Sequence, residues 1–487
     1  MSKIIKTINK ETRKITAKHF RKHGIIVPTF KQLQSPHLVS DEIKNKLKKI
    51  DINAIDPLNL FRINWKNDIN NKLFGRVNAI EIPRSITGIK ARIFGLVGKY
   101  FPTGAHKVGA AYGCLIPRIV SGEFDPTVHK AVWPSTGNYC RGGAFDSALM
   151  GCRGIAILPE GMSKERFDWL KQVGAEIIAT PGTESNVKEI YDKCNELAID
   201  SKNFIFNQFA EFGNTIFHYN VTGHAIQEYF IEEIDNKNAR IAAYVSSSGS
   251  AGTIAAGDFL KKQHPNLKIV VAEALQCPTI LMNGFGDHRI EGIGDKHIPW
   301  IHNVRNTDAV AAIDDHDCVR VIRLFNELHG MEFLKLQGIT ENEINKLSLL
   351  GISGVCNLLS CIKTAKYYEL DENDIIFTIF TDSMDLYSSR LNEYEKQYGE
   401  YSSIHAAVDF AVGISKQGIE NYKELGYRDR KAIHNLKYFT WVEQQGKSSD
   451  DLRELWSPKF WESIEENEID YFDQLIEEFN AEIGLNK

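Results

Sequence analysis

Lys107 stands in YFPTGAHKVGAAYG, directly after a Pro-Thr-Gly turn and just ahead of an Ala/Gly-rich helical start. A lysine in a partly desolvated pocket loses proton affinity, so its amine can attack an aldehyde to form a Schiff base and then serve as acid and base. The competing reading is a solvated lysine on a helix surface. In VSSSGSAGTIAAGDFLKKQHP an apolar strand ending near Val245 meets a small-residue loop and an amphipathic helix beginning near Thr253. Gly249, Ala251 and Gly252 carry little or no side chain, so backbone N–H groups can converge on a phosphate. Ser250 and Thr253 add hydroxyls and the helix start adds partial positive charge. Small residues also serve close strand–helix packing, so the loop alone does not decide between a ligand and a tight turn. It carries neither GK[ST] nor GxGxxG.

Two further strand ends present polar groups. AVWPSTGNYCRGGA offers Ser135, Thr136 and Asn138 at a helix start, where hydroxyl and backbone donors suit a carboxylate and an Asn amide can orient a phenolic oxygen on a cofactor ring. The same residue types also make ordinary helix caps. DIIFTIFTDSMDLYSSR is a strongly apolar strand that delivers Ser383 at its carboxyl end, flanked by Asp382 and Asp385; the bland reading is a turn former. His288, His297 and His302 have no recognised metal-ligand spacing, so no metal site is expected. Cys140, beside the Asn loop, reads as a small buried hydrophobe rather than a reactive thiol.

The elements that must position these residues alternate. From about 90 to 390, apolar runs (ARIFGLVGKY, AVWPSTGN, CRGIAILPE, AEIIATP, NFIFNQF, IAAYVSSSG, KIVVAEA, DIIFTIFTDS) interleave with helical patterns, which predicts an α/β fold with mainly parallel sheets. In such sheets ligands lie at the carboxyl ends of strands. Residues 1–85 read as an N-terminal extension and 391–487 as a helical C-terminal extension, with the aromatics of KYFTWVEQQG as a packing anchor or subunit contact. The 487 residues are 43% hydrophobic and 25% charged, with a net charge of −5. That balance excludes a disordered or fibrous chain and implies no general attraction to nucleic acid or an anionic membrane. The basic N-terminus lacks a signal-peptide core, no apolar run reaches membrane-span length, and eight cysteines without a CxxC pair fit reduced thiols. A cytoplasmic location is expected.

Together, PTGxxK, STGN, GSAGT and the TDS strand end resemble, in this order, the fold type II pyridoxal-phosphate enzymes, especially the cysteine synthase and cystathionine beta-synthase family, over roughly residues 85–390. The stretch ILPEGMSKERFDWLKQVGAEIIAT looks like that family's strand–helix–strand after the Asn loop. The resemblance implies two α/β subdomains with pyridoxal 5′-phosphate between them, the smaller about 108–225 and the larger about 86–107 and 226–390. It makes Lys107 the Schiff-base lysine and places Asn138 against the ring oxygen and Ser383 at the pyridine nitrogen. Gly249, Ser250, Ala251, Gly252 and Thr253 would hold the phosphate. Ser135, Thr136 and Gly137 would bind the substrate carboxylate, and Gly292 of EGIGDKHIP would line the substrate side. Ala251 stands where a glycine is usual. The GAHK tetrad is closer to the tryptophan synthase beta subunit, which would set His106 near the phosphate.

A neutral serine at the pyridine nitrogen disfavours full charge migration into the ring, so transamination is not expected; Asp382 would replace it if the strand slipped by one residue. The resemblance implies a homodimer acting on a small amino acid, by β-replacement on serine or an O-activated serine with a thiol or sulfide, through an aminoacrylate. β-Elimination, of the cysteine desulfhydrase or serine/threonine dehydratase type, is the alternative on the same residues. A non-catalytic phosphate-ligand module is the reading from a different class.

Overall fold

The computed structural model describes residues 4–68, 70–182, 186–294 and 296–485. All eight apolar runs form strands: Arg92–Val97, Lys130–Pro134, Arg153–Pro159, Glu176–Thr180, Asn203–Ile205, Arg240–Ser247, Lys268–Ala274 and Asp374–Phe380. They divide between two sheets. The smaller sheet is all parallel, in the order Glu176–Thr180, Arg153–Pro159, Lys130–Pro134, Asn203–Ile205. The larger runs Tyr422–Glu424, Ala309–Ile313, Lys268–Ala274, Arg240–Ser247, Asp374–Phe380, Arg92–Val97, Ala79–Ile82. Its inner five strands are parallel and its two edges antiparallel. Every residue of Asp374–Phe380 is buried, as a parallel strand covered by helices on both faces requires, and hence its unbroken apolar run. The strand before the GSAGT loop continues to Ser247, two residues past Val245, and the helix after it spans Ile254–Gln263.

Both chain ends build onto this core rather than standing apart from it. Ala79–Ile82 and Tyr422–Glu424 close the two edges of the larger sheet, so the tail, although mainly helical, also supplies a strand. Glu468–Ile483 lies along Lys10–His23, with Phe479 edge-on to Phe20 at 5.4 Å between ring centroids. The Asn480 amide pairs with Val27 in both directions, accepting from its N–H at 3.2 Å and donating to its carbonyl at 2.8 Å. The Asp473 carboxylate accepts from the Phe30 and Lys31 N–H groups at 2.6 and 3.0 Å, which holds the start of the short helix Phe30–Gln34. Among the described residues no single helix is long and apolar enough to cross a membrane. One bent pair, Glu341–Leu347 with Ile352–Tyr367, has the composition, and its second helix is buried over most of its length against the larger sheet.

The helix Lys107–Val120 runs between Arg92–Val97 of the larger sheet and Lys130–Pro134 of the smaller. It approaches Phe212–Phe217 so closely that a Cβ on Gly113 would lie 2.3 Å from the Gly213 carbonyl oxygen. Only glycine permits that backbone contact. The loop containing EGIGDKHIP, of which Asp295 lies outside the described residues, is fastened by the tail. Trp441, 1% exposed, donates its indole N–H to the Ile298 carbonyl at 2.8 Å. The Lys437 ammonium donates to the Trp300 and His302 carbonyls at 2.8 and 2.7 Å. Tyr438 and Phe439, beside Trp441 in the same aromatic stretch, are exposed. Trp441→Ala is therefore expected to lower the unfolding free energy by about 3–5 kcal/mol, read from the denaturation midpoint by circular dichroism. Trp441→Phe, which keeps a ring and loses the hydrogen bond, should cost roughly 1–2 kcal/mol.

Candidate active site

Carboxyl ends of strands from both sheets meet at one narrow cleft. Ser135, Thr136 and Asn138 enter it after Lys130–Pro134, and Gln208 and Phe209 after Asn203–Ile205. From the larger sheet come Gly249 and Ser250 after Arg240–Ser247, Thr381 after Asp374–Phe380, and Gly292 from its loop. Lys107 reaches in from the first turn of its helix. The cleft is narrow, with about 350 Å³ of empty space that includes its opening to solvent. Roomier cavities elsewhere, among them one of about 650 Å³ beside Arg118 and Trp300 and one of about 530 Å³ beside Thr29 and Asn480, contain none of the residues singled out in the sequence.

The Lys107 ammonium donates to Ser250 Oγ at 2.9 Å and to Gln208 Oε1 at 3.3 Å. Its amine is thus held at the small-residue loop. Ser250 Oγ also accepts from Asn214 Nδ2 at 3.0 Å. Asn214 Oδ1 is buried without a hydrogen-bond partner among the described residues, and a Cβ on Gly252 would sit 2.0 Å from it. Ala251 has φ 65°, a left-handed conformation that costs a residue with a Cβ about 1–2 kcal/mol. Backbone strain of this kind is kept where surrounding structure over-determines the loop. Thr253 is tied back to Ser246, Oγ1 to Oγ at 2.7 Å.

Asn138 is fixed at both ends of its amide. Nδ2 donates to Asp382 Oδ2 at 2.5 Å, and Oδ1 accepts from Arg141 Nη1 at 3.4 Å. Asp382 is wholly buried and also accepts from the Tyr387 hydroxyl at 2.8 Å. Burial raises its pKa, against the lowering effect of Arg166 and these donors. Ser135 Oγ accepts from the Gly137 N–H at 3.0 Å, which sets the turn of the STGN loop.

His106 and Ser383 are placed differently from the other residues of the motif set. The His106 ring packs against His218 and Trp65, at 5.0 and 5.9 Å between centroids, outside the cleft lining. Neighbours on a helical turn diverge by about 100°, so Lys107 and the residue before it face apart. Burial, and secondarily Lys107, hold the imidazole well below its usual pKa and therefore neutral. Its backbone N–H donates to the Thr381 carbonyl at 3.3 Å, which joins the lysine turn to the strand end. Ser383 is buried just beyond Thr381 and does not itself line the cleft. Each loop histidine has its own structural partner: His288 bonds the Gly294 carbonyl at 3.0 Å, His297 the Tyr191 hydroxyl at 3.2 Å and His302 the Thr307 hydroxyl at 2.9 Å. Gln208 and Asn214 were not anticipated from the sequence. The position of Gln208 at a strand's carboxyl end was a usable signal; Asn214, on a helix behind the loop, gave none.

A family model described as "Pyridoxal-phosphate dependent enzyme" matches residues 75–333, more than half of the chain, which therefore belongs to that family. A probable cysteine synthase of Bacillus subtilis is 28% identical over 319 residues, covering 65% of this chain and 94% of that protein. Cystathionine beta-synthase of Saccharomyces cerevisiae is 28% identical over 328 residues, covering 65% of this chain and 60% of its own length. Among solved structures, an O-acetyl serine sulfhydrylase isoform of Entamoeba histolytica superposes with a TM-score of 0.55 at 24% identity, over 68% of this chain and 92% of that one. An O-acetylserine-dependent cystathionine beta-synthase of Helicobacter pylori gives 0.53 at 23% identity, over 65% and 95%. The fold is fold type II, and the cofactor is pyridoxal phosphate. The residues present fit it: an amine for its aldehyde stands beside a small-residue loop at a helix N-terminus suited to its phosphate, with the Asn138 amide on the opposite wall.

Cys140, at the edge of this site, is fully buried and its thiol donates to the Gly137 carbonyl at 2.9 Å. Desolvation pushes its pKa up to about 12, so almost no thiolate exists near neutrality. Iodoacetamide at pH 8 should leave Cys140 unmodified in the folded protein and alkylate it in denaturant, as read by peptide mass mapping.

Proposed function

We propose that the chain catalyses β-replacement on serine or an O-activated serine with sulfide or a thiol, giving cysteine or a thioether amino acid. The observation that carries this reading is the Lys107 amine held 2.9 Å from Ser250 Oγ across a cleft whose facing wall is the Ser135–Asn138 loop. The relatives named cysteine synthase and cystathionine beta-synthase support the same class. When bound, pyridoxal phosphate supplies an electron sink for charge developing at the amino acid's Cα.

The chain's residues would divide the work as follows. Gly249, Ser250, Ala251, Gly252 and Thr253 would grip the phosphate and Asn138 would meet the ring oxygen; Ser383, buried just beyond the cleft lining, is the strand-end hydroxyl that would meet the ring nitrogen once the cofactor is seated. Asp382, the alternative at that position, has Oδ2 engaged by Asn138 and Tyr387, while its Oδ1 is buried without a hydrogen-bond partner among the described residues. Ser135 and Thr136 donate to the substrate carboxylate, each hydrogen bond to a charged group contributing about 1.5–3 kcal/mol, and so orient the Cα proton toward Lys107. Lys107 takes that proton and returns it at the end of the cycle. Assembly as a homodimer belongs to the same proposal.

Wild-type protein loaded with pyridoxal phosphate should convert O-acetylserine and sulfide to cysteine, with pyruvate a minor product. Lys107→Ala should lower kcat by about 10³-fold while the protein stays folded. Pyruvate as the dominant product with sulfide present would favour elimination; no turnover of any serine derivative would overturn the reading.

A further inference from the structure

One side chain in the middle of a charged helix is fully buried and touches both units of the protein. Arg166 lies in Lys164–Gln172, whose other charged residues are not buried. Its side chain is 0% exposed. On its own unit, Nη1 donates to the Thr136 carbonyl at 2.8 Å. The guanidinium also packs so tightly beneath the next residue that a Cβ on Gly137 would lie 2.2 Å from Nη1. Behind the loop, Nη1 also pairs with Glu291 Oε2 at 3.0 Å and Nη2 donates to the Tyr387 hydroxyl at 3.0 Å. Glu291 is 5% exposed, adjoins Gly292, and is paired on its other oxygen with Arg390 Nε at 2.7 Å. Arg390 in turn donates to the Gly161 carbonyl at 2.9 Å on the smaller unit.

We propose that Arg166 is a positioning residue for substrate carboxylate binding: it fastens the Thr136–Gly137 backbone to Glu291 and Tyr387 of the larger unit and so holds the Ser135 and Thr136 donors in binding geometry. The proposal rests on the reading of that loop as the carboxylate site. Arg166 lies behind the loop and acts through it. The planar fork matters because the guanidinium must reach the Thr136 carbonyl and the Tyr387 hydroxyl by hydrogen bonds while lying beside the Glu291 carboxylate, which a lysine ammonium on a flexible stem does not reproduce. The far end of the loop has a separate anchor, Asn138 on Asp382. Loosening the Arg166 end should therefore weaken binding of the amino acid while leaving the cofactor side in place. A contact made equally in ground and transition states appears in KM rather than kcat.

The test compares wild type, Arg166→Lys and the charge-matched double variant Arg166→Gln/Glu291→Gln, since removing one member of a buried pair strands the other charge and can unfold the protein. In both variants KM for O-acetylserine should rise about tenfold or more, with kcat and the cofactor dissociation constant, from absorbance titration, within about threefold of wild type. In the cofactor-free protein, amide hydrogen exchange over 135–138 should quicken at least tenfold with that of strand Arg153–Pro159 unchanged. An unchanged KM, a KM rise matched by equal loss of cofactor affinity, or unchanged exchange in the loop would overturn the positioning role. If wild type itself fails to load cofactor or turn over any amino acid, the functional reading fails instead. The exchange arm still decides whether Arg166 holds the loop.

Discussion

The arrangement depends on bringing polar strand ends of two separate sheets together in a nearly dry cleft. Burying a polar group there costs free energy unless it is hydrogen-bonded, and several of these groups are met by residues from the other side. The Lys107 amine answers Ser250 and Gln208, the Asn138 amide answers Asp382, and the Arg166 fork answers Glu291 and Tyr387. These contacts join segments that follow strands of the two sheets, so the hydrogen bonds among them also fix the relative placement of the amine, the small-residue loop and the Asn loop. Chemistry and closure share one set of atoms.

The terminal segments serve that placement from outside. Tyr112, on the lysine helix, donates to the Pro28 carbonyl, and the segment on either side of Pro28 is held by the last long helix, Val27 by Asn480 and Phe30–Lys31 by Asp473. The tail's Trp441 and Lys437 grip the loop that carries Glu291 and Gly292. Lys437 is fully buried against carbonyls, and desolvation drives its pKa well below the usual lysine value. The extensions therefore brace two walls of the cleft, a role their charged helical sequences did not reveal.

Strands of the core were readable because parallel strands covered on both faces are continuous apolar runs bounded by turns. The strand Ala309–Ile313, AVAAI, escaped because three alanines in five residues carry little strand preference and the run is too short for its period to show. Edge strands of three or four residues escaped for the same reason of length. Site legibility followed a parallel logic. Lys107, Ser135, Thr136, Asn138, Gly249, Ser250 and Gly292 line one cleft, since strand–turn–helix motifs mark where open sheets gather ligands. His106 turned away because it precedes Lys107 by one residue on a helical turn. Arg166 was invisible because, in SKERFDWLKQ, a run of charges reads as a solvated helix face; its burial beneath Thr136–Gly137 and against Tyr387 and Glu291 exists only in the tertiary fold.

The most direct measurement is reduction of the cofactor-loaded protein with borohydride followed by tryptic mass mapping. The account requires the pyridoxyl mass on the peptide containing Lys107 and on no other. Label on the peptide of another buried lysine, such as Lys437, with Lys107 left unmodified, would contradict it.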